Sequence, residues 1–414
     1  MSLEALGAAL GLQPLDVARG LGVASGLALL ALLHVAGPTV AGRTATRAAL
    51  VLTALFPPMA LWAVGGLETV PTALATTAGV LALARPAPGR RDAVLAGAAF
   101  AVLPWLRPEG LAIGLAVVAV SEALALLRGP DRRASLARLL PAAGLPLVSQ
   151  AVLEAVRLGV WGHLLPNSVY YKSGTGETFK VLRHFVDLGA PVLVAGAAGM
   201  LLARGRARLL AVAPLVYAAG SLGMMDSANA FSRFFLPTWP LWALLAGIAV
   251  AAAGRRSPVI AAVLTAALAA AVLTRSDDAV GFASRYASCK QAVREDAAAW
   301  LRTRTPDGAV FSISDAGLVP ARADRPAVDQ LMLNEPELQE RRRWSIKRKV
   351  SRVYANRPEV LVLAGWEPGR FRPRYGVDAA IARNRRFKGY ALAHVSSANC
   401  GYTLFAFRQS RTTR

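Results

Sequence analysis

Long apolar segments separated by short polar segments fill the chain from residue 17 to residue 275. A helix needs roughly 20 mostly apolar residues to cross a bilayer, or about 17 at the short end. Ten segments approach that length, although the fourth is short and the sixth contains Glu154. They are residues 17–36, 46–64, 67–84, 92–106, 109–127, 138–158, 185–203, 208–224, 235–254 and 257–274. The pattern predicts a polytopic α-helical membrane protein with about ten transmembrane helices.

The polar segments between the predicted helices alternate in composition. Every second one is rich in arginine: Arg43 and Arg47; Arg85, Arg90 and Arg91; Arg128, Arg132, Arg133 and Arg138; Arg204, Arg206 and Arg208; Arg255 and Arg256. Short loops rich in arginine stay on the cytoplasmic side of a membrane. The remaining loops are therefore predicted to face outward. They contain few charged residues, together with polar residues of several types.

Beyond residue 275 the pattern changes to short predicted helices and strands. The helices are residues 297–305 and 336–355, and the strands are residues 310–314, 359–364, 388–395 and 402–408. This alternation predicts a small α/β domain, which the loop count puts outside the cell. We therefore expect residues 1–16 to end an outer loop, residues 17–275 to form the transmembrane domain and residues 276–414 to form an extracytoplasmic domain.

Both cysteines, Cys289 and Cys400, belong to this last domain. Disulfides persist outside the plasma membrane. The sequence leaves two alternatives open, a disulfide between them or two unrelated thiols, because spacing along the chain does not show whether their Cα atoms come within reach.

Composition agrees with a membrane protein, since 55% of the residues are hydrophobic and 17% are charged, with a mean hydropathy of +0.42. The net charge of +22 does not indicate nucleic-acid binding, because much of the arginine lies in predicted cytoplasmic loops and no recognisable binding motif accompanies it. The four histidines are scattered, and HExxH, CxxC and Walker motifs are absent. We therefore expect no metal site and no cofactor, with a divalent cation left open as an alternative.

Two predicted outer turns contain a carboxylate or an arginine at a helix boundary. Glu68 is either a charge stabilised at a helix start or a group that contacts substrate, as proton acceptor or sugar ligand. Arg107 and Glu109 form either a surface ion pair or part of a substrate site in which Arg107 binds phosphate through paired donors.

Two further outer turns add polar residues of several kinds. The segment from His163 to Lys172 contains Asn167, Tyr170 and Tyr171, which either anchor the chain at the membrane interface or bind substrate. In the other turn, Asp226 and Arg233 form either an ion pair or part of a site with Asn229. Together the four turns favour a site for an anionic lipid-linked substrate at the membrane surface.

Several short sequence motifs resemble those of a known family. They are residues 66–69 (GLET), 107–110 (RPEG), 165–172 (LPNSVYYK), 233–237 (RFFLP), 299–301 (AWL) and 314–320 (SDAGLVP). In this order they resemble the bacterial GT-C membrane glycosyltransferases, nearest to the actinobacterial terminal arabinofuranosyltransferase type. The resemblance implies transfer of a sugar, arabinofuranose for that type, from a polyprenyl-phosphate donor to a cell-envelope glycan acceptor outside a bacterial plasma membrane.

The resemblance also implies roles for individual residues. Arg107, Lys172 and Arg233 are expected to bind the donor phosphate. Substrate contacts are expected from Glu109, His163, Asn167, Tyr170, Tyr171 and Asn229. The family's acidic base lies in a first outer loop that is expected to precede Met1, so we expect an N-terminally incomplete chain; Glu68 and Asp226 are the candidates within it. A transporter or flippase of lipid-linked sugar and an inactive homologue remain alternatives.

Overall fold

The computed structural model describes residues 10–127, 132–164, 178–220, 233–315, 317–332 and 344–410. The chain divides into two compact units. The helical unit contains the described residues from 10 to 280, and the α/β unit contains the described residues from 281 to 410.

Apolar α-helices joined by short turns make up the helical unit. Their bounds are α1 Pro14–Ala41, α2 Arg43–Ala54, α3 Pro57–Ala63, α4 Thr69–Leu83, α5 Arg90–Leu106, α6 Gly110–Leu126, α7 Arg132–Trp161, α8 Thr178–Leu202, α9 Val212–Gly220, α10 Trp239–Ala253 and α11 Pro258–Arg275. Short 3₁₀ helices at Gly205–Ala211, Leu236–Thr238 and Gly254–Arg256 precede or follow α9 and α10. Each of the ten predicted apolar segments coincides with at least one of these helices.

Length and apolar composition separate the described helices into two groups. Within the described residues, α1, α7, α8, α10 with its 3₁₀ extensions and α11 are long and apolar enough to cross a membrane. Helices α2 and α3 qualify only as a pair bent by 62°. The bend follows Phe56, where Pro57 and Pro58 start a new helix because proline disfavours a helical residue before it. Helices α4 and α6 are apolar but have 15 and 17 residues.

Small residues let the helices pack closely. A Cβ atom on Gly199 of α8 would overlap the backbone carbonyl of Leu245 in α10, and one on Gly247 of α10 would overlap that of Ala45 in α2. Close backbone approach of this kind is how membrane helices associate in the absence of a hydrophobic driving force between them. The core of the unit lies around α10, where the Trp239 ring stacks on Phe56 with 3.7 Å between centroids.

The α/β unit contains one five-stranded sheet between two layers of helices. Its elements are α12 Asp277–Tyr286, which begins just before the unit, α13 Ala292–Arg304, β1 Phe311–Ile313, α14 Leu318–Ala323, β2 Ala327–Asp329, α15 Ile346–Ala355, β3 Val360–Gly365, α16 Gly376–Arg383, β4 Tyr390–Ser397 and β5 Thr403–Gln409. The strand order is β2-β1-β3-β5-β4. Strand β1 is parallel to β2 and β3, and β5 is antiparallel to β3 and β4.

Alternation along the central strand β3 decides what each face of the sheet buries. Val360 and Val362 pack with α13 and α14 on one face. Leu361 and Leu363 pack with α15 and α16 on the other face. All six residues of β3 are buried, as expected for a central strand covered on both faces.

Cys289 and Cys400 are joined by a disulfide, and their Cα atoms are 5.8 Å apart. This separation is within the usual range for a disulfide. The bond connects the short π-helical turn Ala287–Gln291 to the loop between β4 and β5.

Candidate functional site

Two turns at one end of the helical unit position three of the predicted site residues. Glu68 immediately precedes α4, and its backbone carbonyl accepts hydrogen bonds from the Thr72 amide (2.9 Å) and hydroxyl (2.7 Å). Arg107 follows α5 with an extended backbone, which the proline after it favours. The amide of Gly110, the first residue of α6, donates to the Arg107 carbonyl at 2.9 Å. This turn directs Arg107 and Glu109 to the same place.

Four charged side chains meet there. Nε of Arg107 donates to Oε1 of Glu109 at 2.6 Å. Oε1 of Glu68 lies 3.9 Å from Nη1 of Arg107 and 3.9 Å from Nη2 of Arg233. Only 4% of the Arg107 side chain and 17% of the Arg233 side chain are exposed. We name Glu68, Arg107, Glu109 and Arg233 the charged quartet.

Aromatic rings surround the two arginines. The guanidinium carbon of Arg107 is 5.0 Å from the Phe234 ring centroid, and that of Arg233 is 5.3 Å from the same ring. Arg233 also lies 5.8 Å from the Trp62 ring of α3. Cations are attracted to aromatic faces at these distances. The rings therefore hold both guanidinium groups in a weakly hydrated environment.

The quartet has two positive and two negative charges, but its hydrogen bonds are incomplete. Nη1 of Arg107 and Nε of Arg233 are buried without a hydrogen-bond partner among the residues that the structure describes. At 3.9 Å, the contacts of Glu68 with both arginines are longer than hydrogen bonds. A buried donor without an acceptor costs free energy that an incoming anion would recover. Guanidinium groups match the geometry of phosphate oxygens, so the quartet can bind a phosphate group.

Near the other ends of α4 and α6, Arg206 and Arg138 have no buried side-chain nitrogen that lacks a hydrogen-bond partner among the described residues. Nε of Arg206 donates to the Leu83 carbonyl at 2.8 Å, at the end of α4. Arg138 donates to both carboxylate oxygens of Glu122, at 3.2 and 3.0 Å. These arginines belong to the segments predicted to be cytoplasmic, and their bonds tie helices together. The contrast marks the quartet as the end of the unit that has donors available for a ligand.

The structure therefore brings together four of the residues predicted from the sequence. The expected pair between Arg107 and Glu109 forms, but Arg107 is buried rather than on the surface. Arg233 pairs with Glu68, and its alternative partner Asp226 lies outside the described residues. His163 is half-buried just beyond α7 and is not among the described hydrogen-bond or ion-pair partners of the quartet. Also outside the described residues are Asn167, Tyr170, Tyr171, Lys172 and Asn229.

Sequence reasoning missed three residues around the quartet. Trp62 and Phe234 provide the aromatic surroundings of Arg233, and Tyr217 of α9 is buried close enough to interact electrostatically with Arg107. The aromatic ring directly after Arg233 was a signal for Phe234. No local signal distinguishes Trp62 or Tyr217 from other aromatic residues of apolar helices.

The described residues contain no group of three or more histidine, cysteine, aspartate or glutamate side chains that could hold a metal ion.

Comparison with solved structures places the whole chain in a known fold. Crystal structures of ArnT from Cupriavidus metallidurans, one in the apo state and one bound to undecaprenyl phosphate, match with TM-scores of 0.59 and 0.61. The sequence identities are 14% and 15%, and each match covers 98% of this chain and 86% of the ArnT chain. The chain has the GT-C fold of a multi-pass membrane protein, with a C-terminal sheet domain, as predicted from its sequence.

The family model described as "Domain of unknown function (DUF8728)" matches residues 285–407, which lie within the α/β unit. No curated protein matches the chain.

Proposed function

We propose that this protein transfers a sugar from a polyprenyl-phosphate donor to an acceptor in the cell envelope. The quartet carries this proposal, because it offers one buried and one partly buried guanidinium group with unused donors at one end of a membrane unit. The fold supports it as well, since one of the ArnT structures with this fold is bound to undecaprenyl phosphate.

Arg107 and Arg233 are proposed to bind the phosphate of the donor. In the reaction, an acceptor hydroxyl attacks the anomeric carbon, and the bond between that carbon and the phosphate oxygen breaks. The phosphate leaves with the bonding electron pair, and its growing negative charge is stabilised by the two guanidinium groups. Lys172 is proposed as a third cation for the same phosphate.

Glu68 is better suited to positioning than to proton transfer. Its Oε1 lies 3.9 Å from a nitrogen of each arginine, which places the carboxylate between the two guanidinium groups. We assign Glu68 the role of holding the two guanidinium groups apart and oriented, with Glu109 fixing Arg107 from the other side. Within the chain, Asp226 is then the proposed general base that accepts the proton of the acceptor hydroxyl.

The finer parts of the proposal come from the sequence. Arabinofuranose is the proposed sugar, because the motifs resemble the arabinofuranosyltransferase type. The arginine-rich loops favour an orientation with the quartet and the α/β unit outside the cell. Sugar contacts are proposed for Asn167, Tyr170, Tyr171 and Asn229, with His163 beside them.

Binding of undecaprenyl phosphate to the purified chain in nanodiscs tests the phosphate site. Arg233→Gln removes a charge and its donors from a partly exposed side chain, so we expect binding to weaken by about 10- to 100-fold, as for loss of a charge-assisted hydrogen bond. Arg107→Lys keeps the charge but loses the planar donors, and we expect a smaller loss of about tenfold. Arg255→Gln is the matched control, because Arg255 is an exposed arginine of the same unit outside the quartet.

Sugar transfer is measured separately, in proteoliposomes containing a polyprenyl-phosphate arabinose donor and an arabinan acceptor. A product with a new glycosidic linkage supports the transferase. Movement of the donor across the bilayer without product supports the flippase alternative and overturns the transferase. Equal affinity for undecaprenyl phosphate in the wild type, Arg233→Gln and Arg107→Lys overturns the phosphate role of the quartet.

A further inference from the structure

The α/β unit has an edge at which loops from three neighbouring strands meet. The parallel strands β1 and β3 both end there, with Asp315 just beyond β1 and Trp366 just beyond β3. Strand β5 begins at the same edge after Tyr402, because Gly365 of β3 pairs with Thr403.

The connections make this edge a switch point of the sheet. Strand β1 continues through α14 to β2 on one side, whereas β3 continues through α16 to β4 and β5 on the other side. Helix α14 packs on one face and α16 on the opposite face. In open α/β sheets, ligands bind outside the carboxyl ends of the strands at a point of this kind.

Three cations gather around the buried ring of Tyr402 at this edge. The Lys290 Nζ atom lies 6.0 Å from the ring centroid, and the guanidinium carbons of Arg294 and Arg374 lie 5.4 and 5.6 Å from it. They come from the turn before α13, from α13 itself and from the loop between β3 and α16. We name Lys290, Arg294 and Arg374 the edge cations.

Among the described residues, one carboxylate forms an ion pair with an edge cation: Asp315 pairs with Arg294. Nε and Nη2 of Arg294 both lie 2.7 Å from Oδ2 of Asp315, which also accepts the hydroxyl of Tyr402. Arg374 donates to the Gly401 backbone carbonyl at 2.5 Å. Neither Lys290 nor Arg374 forms an ion pair with a described carboxylate. The edge therefore has an excess of two positive charges.

The second nearby carboxyl offsets this excess only in part. Asp378 lies under the edge, where its Oδ2 accepts from the Ala364 amide at 3.3 Å and the Ser314 hydroxyl at 3.4 Å. Its Oδ1 is buried and has no hydrogen-bond partner in the described part of the chain. Burial raises the pKa of Asp378 to about 7, so it is partly protonated at neutral pH. Burial, and then the charges of Arg374 and Arg294, lowers the pKa of Lys290. An anion bound at the edge would relieve this repulsion.

Exposed aromatic rings lie beside the cations. Trp366 is 48% exposed and Tyr375 is 39% exposed. The guanidinium carbon of Arg374 lies 4.1 Å from the Trp366 ring centroid, and Tyr375 interacts electrostatically with Asp315 and Arg374. Aromatic faces next to charged donors suit a ligand that has a ring face and a charged group.

We propose that the carboxyl edge of the sheet, at Lys290, Arg374 and Trp366, is a binding site for an anionic saccharide, one carrying a phosphate or a carboxylate. Lys290 and Arg374 bind the anionic group, Arg294 and Asp315 fix the site, and the ring of Trp366 contacts the sugar. The site belongs to the α/β unit alone and does not depend on the proposed transferase activity.

Calorimetric titration of the purified full-length chain tests the proposal with four probes: glucose 6-phosphate, glucuronate, inorganic phosphate and glucose. We expect the two anionic sugars to bind more tightly than inorganic phosphate, and glucose not to bind measurably. The comparison of glucose 6-phosphate with glucuronate distinguishes a phosphate from a carboxylate ligand. Lys290→Gln and Arg374→Gln should each weaken binding of the preferred sugar by about tenfold.

Arg370→Gln is the matched control, because it removes one exposed charge from the loop that contains Arg374. Lys290→Arg keeps the charge and should retain binding within about threefold, which separates lost charge from lost folding. Absence of binding by both anionic sugars overturns the proposal. Equal weakening by Arg370→Gln and Arg374→Gln also overturns it, since nonspecific attraction to a basic surface would then explain the binding. Equal affinity for inorganic phosphate and the sugars overturns the saccharide part.

Discussion

The two charged clusters of this protein differ in their charge balance. The charged quartet of the helical unit has two arginines and two glutamates, but its hydrogen bonds are incomplete. The cluster at the sheet edge has three cations and one paired carboxylate, with Arg294 bound closely to Asp315.

The difference shows two ways in which a protein can prepare a site for an anion. In the quartet, the glutamates compensate the positive charge of arginines that lie in apolar surroundings. An incoming anion must therefore compete with Glu68 for the guanidinium donors. At the sheet edge, the excess charge lies near solvent, where uncompensated cations cost less. We therefore expect the quartet to respond to loss of a carboxylate and the sheet edge to respond to loss of its covalent and ionic supports.

The disulfide should provide the largest support of the sheet edge. It closes a loop with a sequence separation of 111 residues and lies next to Lys290 at one end and close to Tyr402 at the other. Replacing both Cys289 and Cys400 with serine should destabilise the α/β unit by about 2–5 kcal/mol. Hydrogen exchange of α13 and β5, measured by mass spectrometry, would detect the loss. Unchanged exchange in both elements would contradict a supporting role.

Replacing an arginine should cost more folding free energy at the sheet edge than in the quartet. Arg294→Met leaves Asp315 without its ionic partner and should cost about 3 kcal/mol of folding free energy. Arg233→Met removes a cation whose ion-pair contact is long, and should cost less than about 1 kcal/mol. Unfolding by denaturant, followed by hydrogen exchange in each unit, measures both changes. A larger loss for Arg233→Met would reverse the comparison.

The folding stability of the α/β unit should depend on pH through Asp378, the carboxyl beneath the edge. The folded pKa of Asp378 is about 7, against an ordinary value of 3.8, so the folded state binds more protons between these values. Stability should therefore fall as pH rises from about 4 to about 7, by about 4 kcal/mol, and then level off. Asp378→Asn should remove this slope while the slopes from other groups remain. A slope that persists in the variant would assign it elsewhere.

Glu68→Gln should give the smallest change. Without this carboxylate the quartet has a net charge of +1, so undecaprenyl phosphate should bind about fivefold more tightly, equivalent to about 1 kcal/mol. Sugar transfer should nevertheless slow, because the guanidinium groups lose the group that orients them. Binding and transfer assays on the same preparation check both parts. Weaker binding of undecaprenyl phosphate would show that Glu68 supports the phosphate site rather than competing with it.

Local sequence patterns predicted the apolar helices and the β4–β5 hairpin, because these elements depend on neighbouring residues. Hydropathy located every apolar helix, and alternation located the hairpin of β4 and β5. Strand β2, residues 327–329, was missed because three residues are too few to show a period. The 62° bend between α2 and α3, which lies inside the predicted segment 46–64, was not part of that prediction.

The sequence by itself determined a membrane protein with an α/β domain and its apolar helices. It left an ion pair between Arg107 and Glu109, which are two residues apart, as one of two alternatives. The tertiary structure alone decided that Glu68 lies between Arg107 and Arg233, that Cys289 reaches Cys400, and that three cations share the ring of Tyr402. The physical reason is distance along the chain. Groups far apart in sequence meet only through helix packing and strand order, which depend on how all side chains fit together.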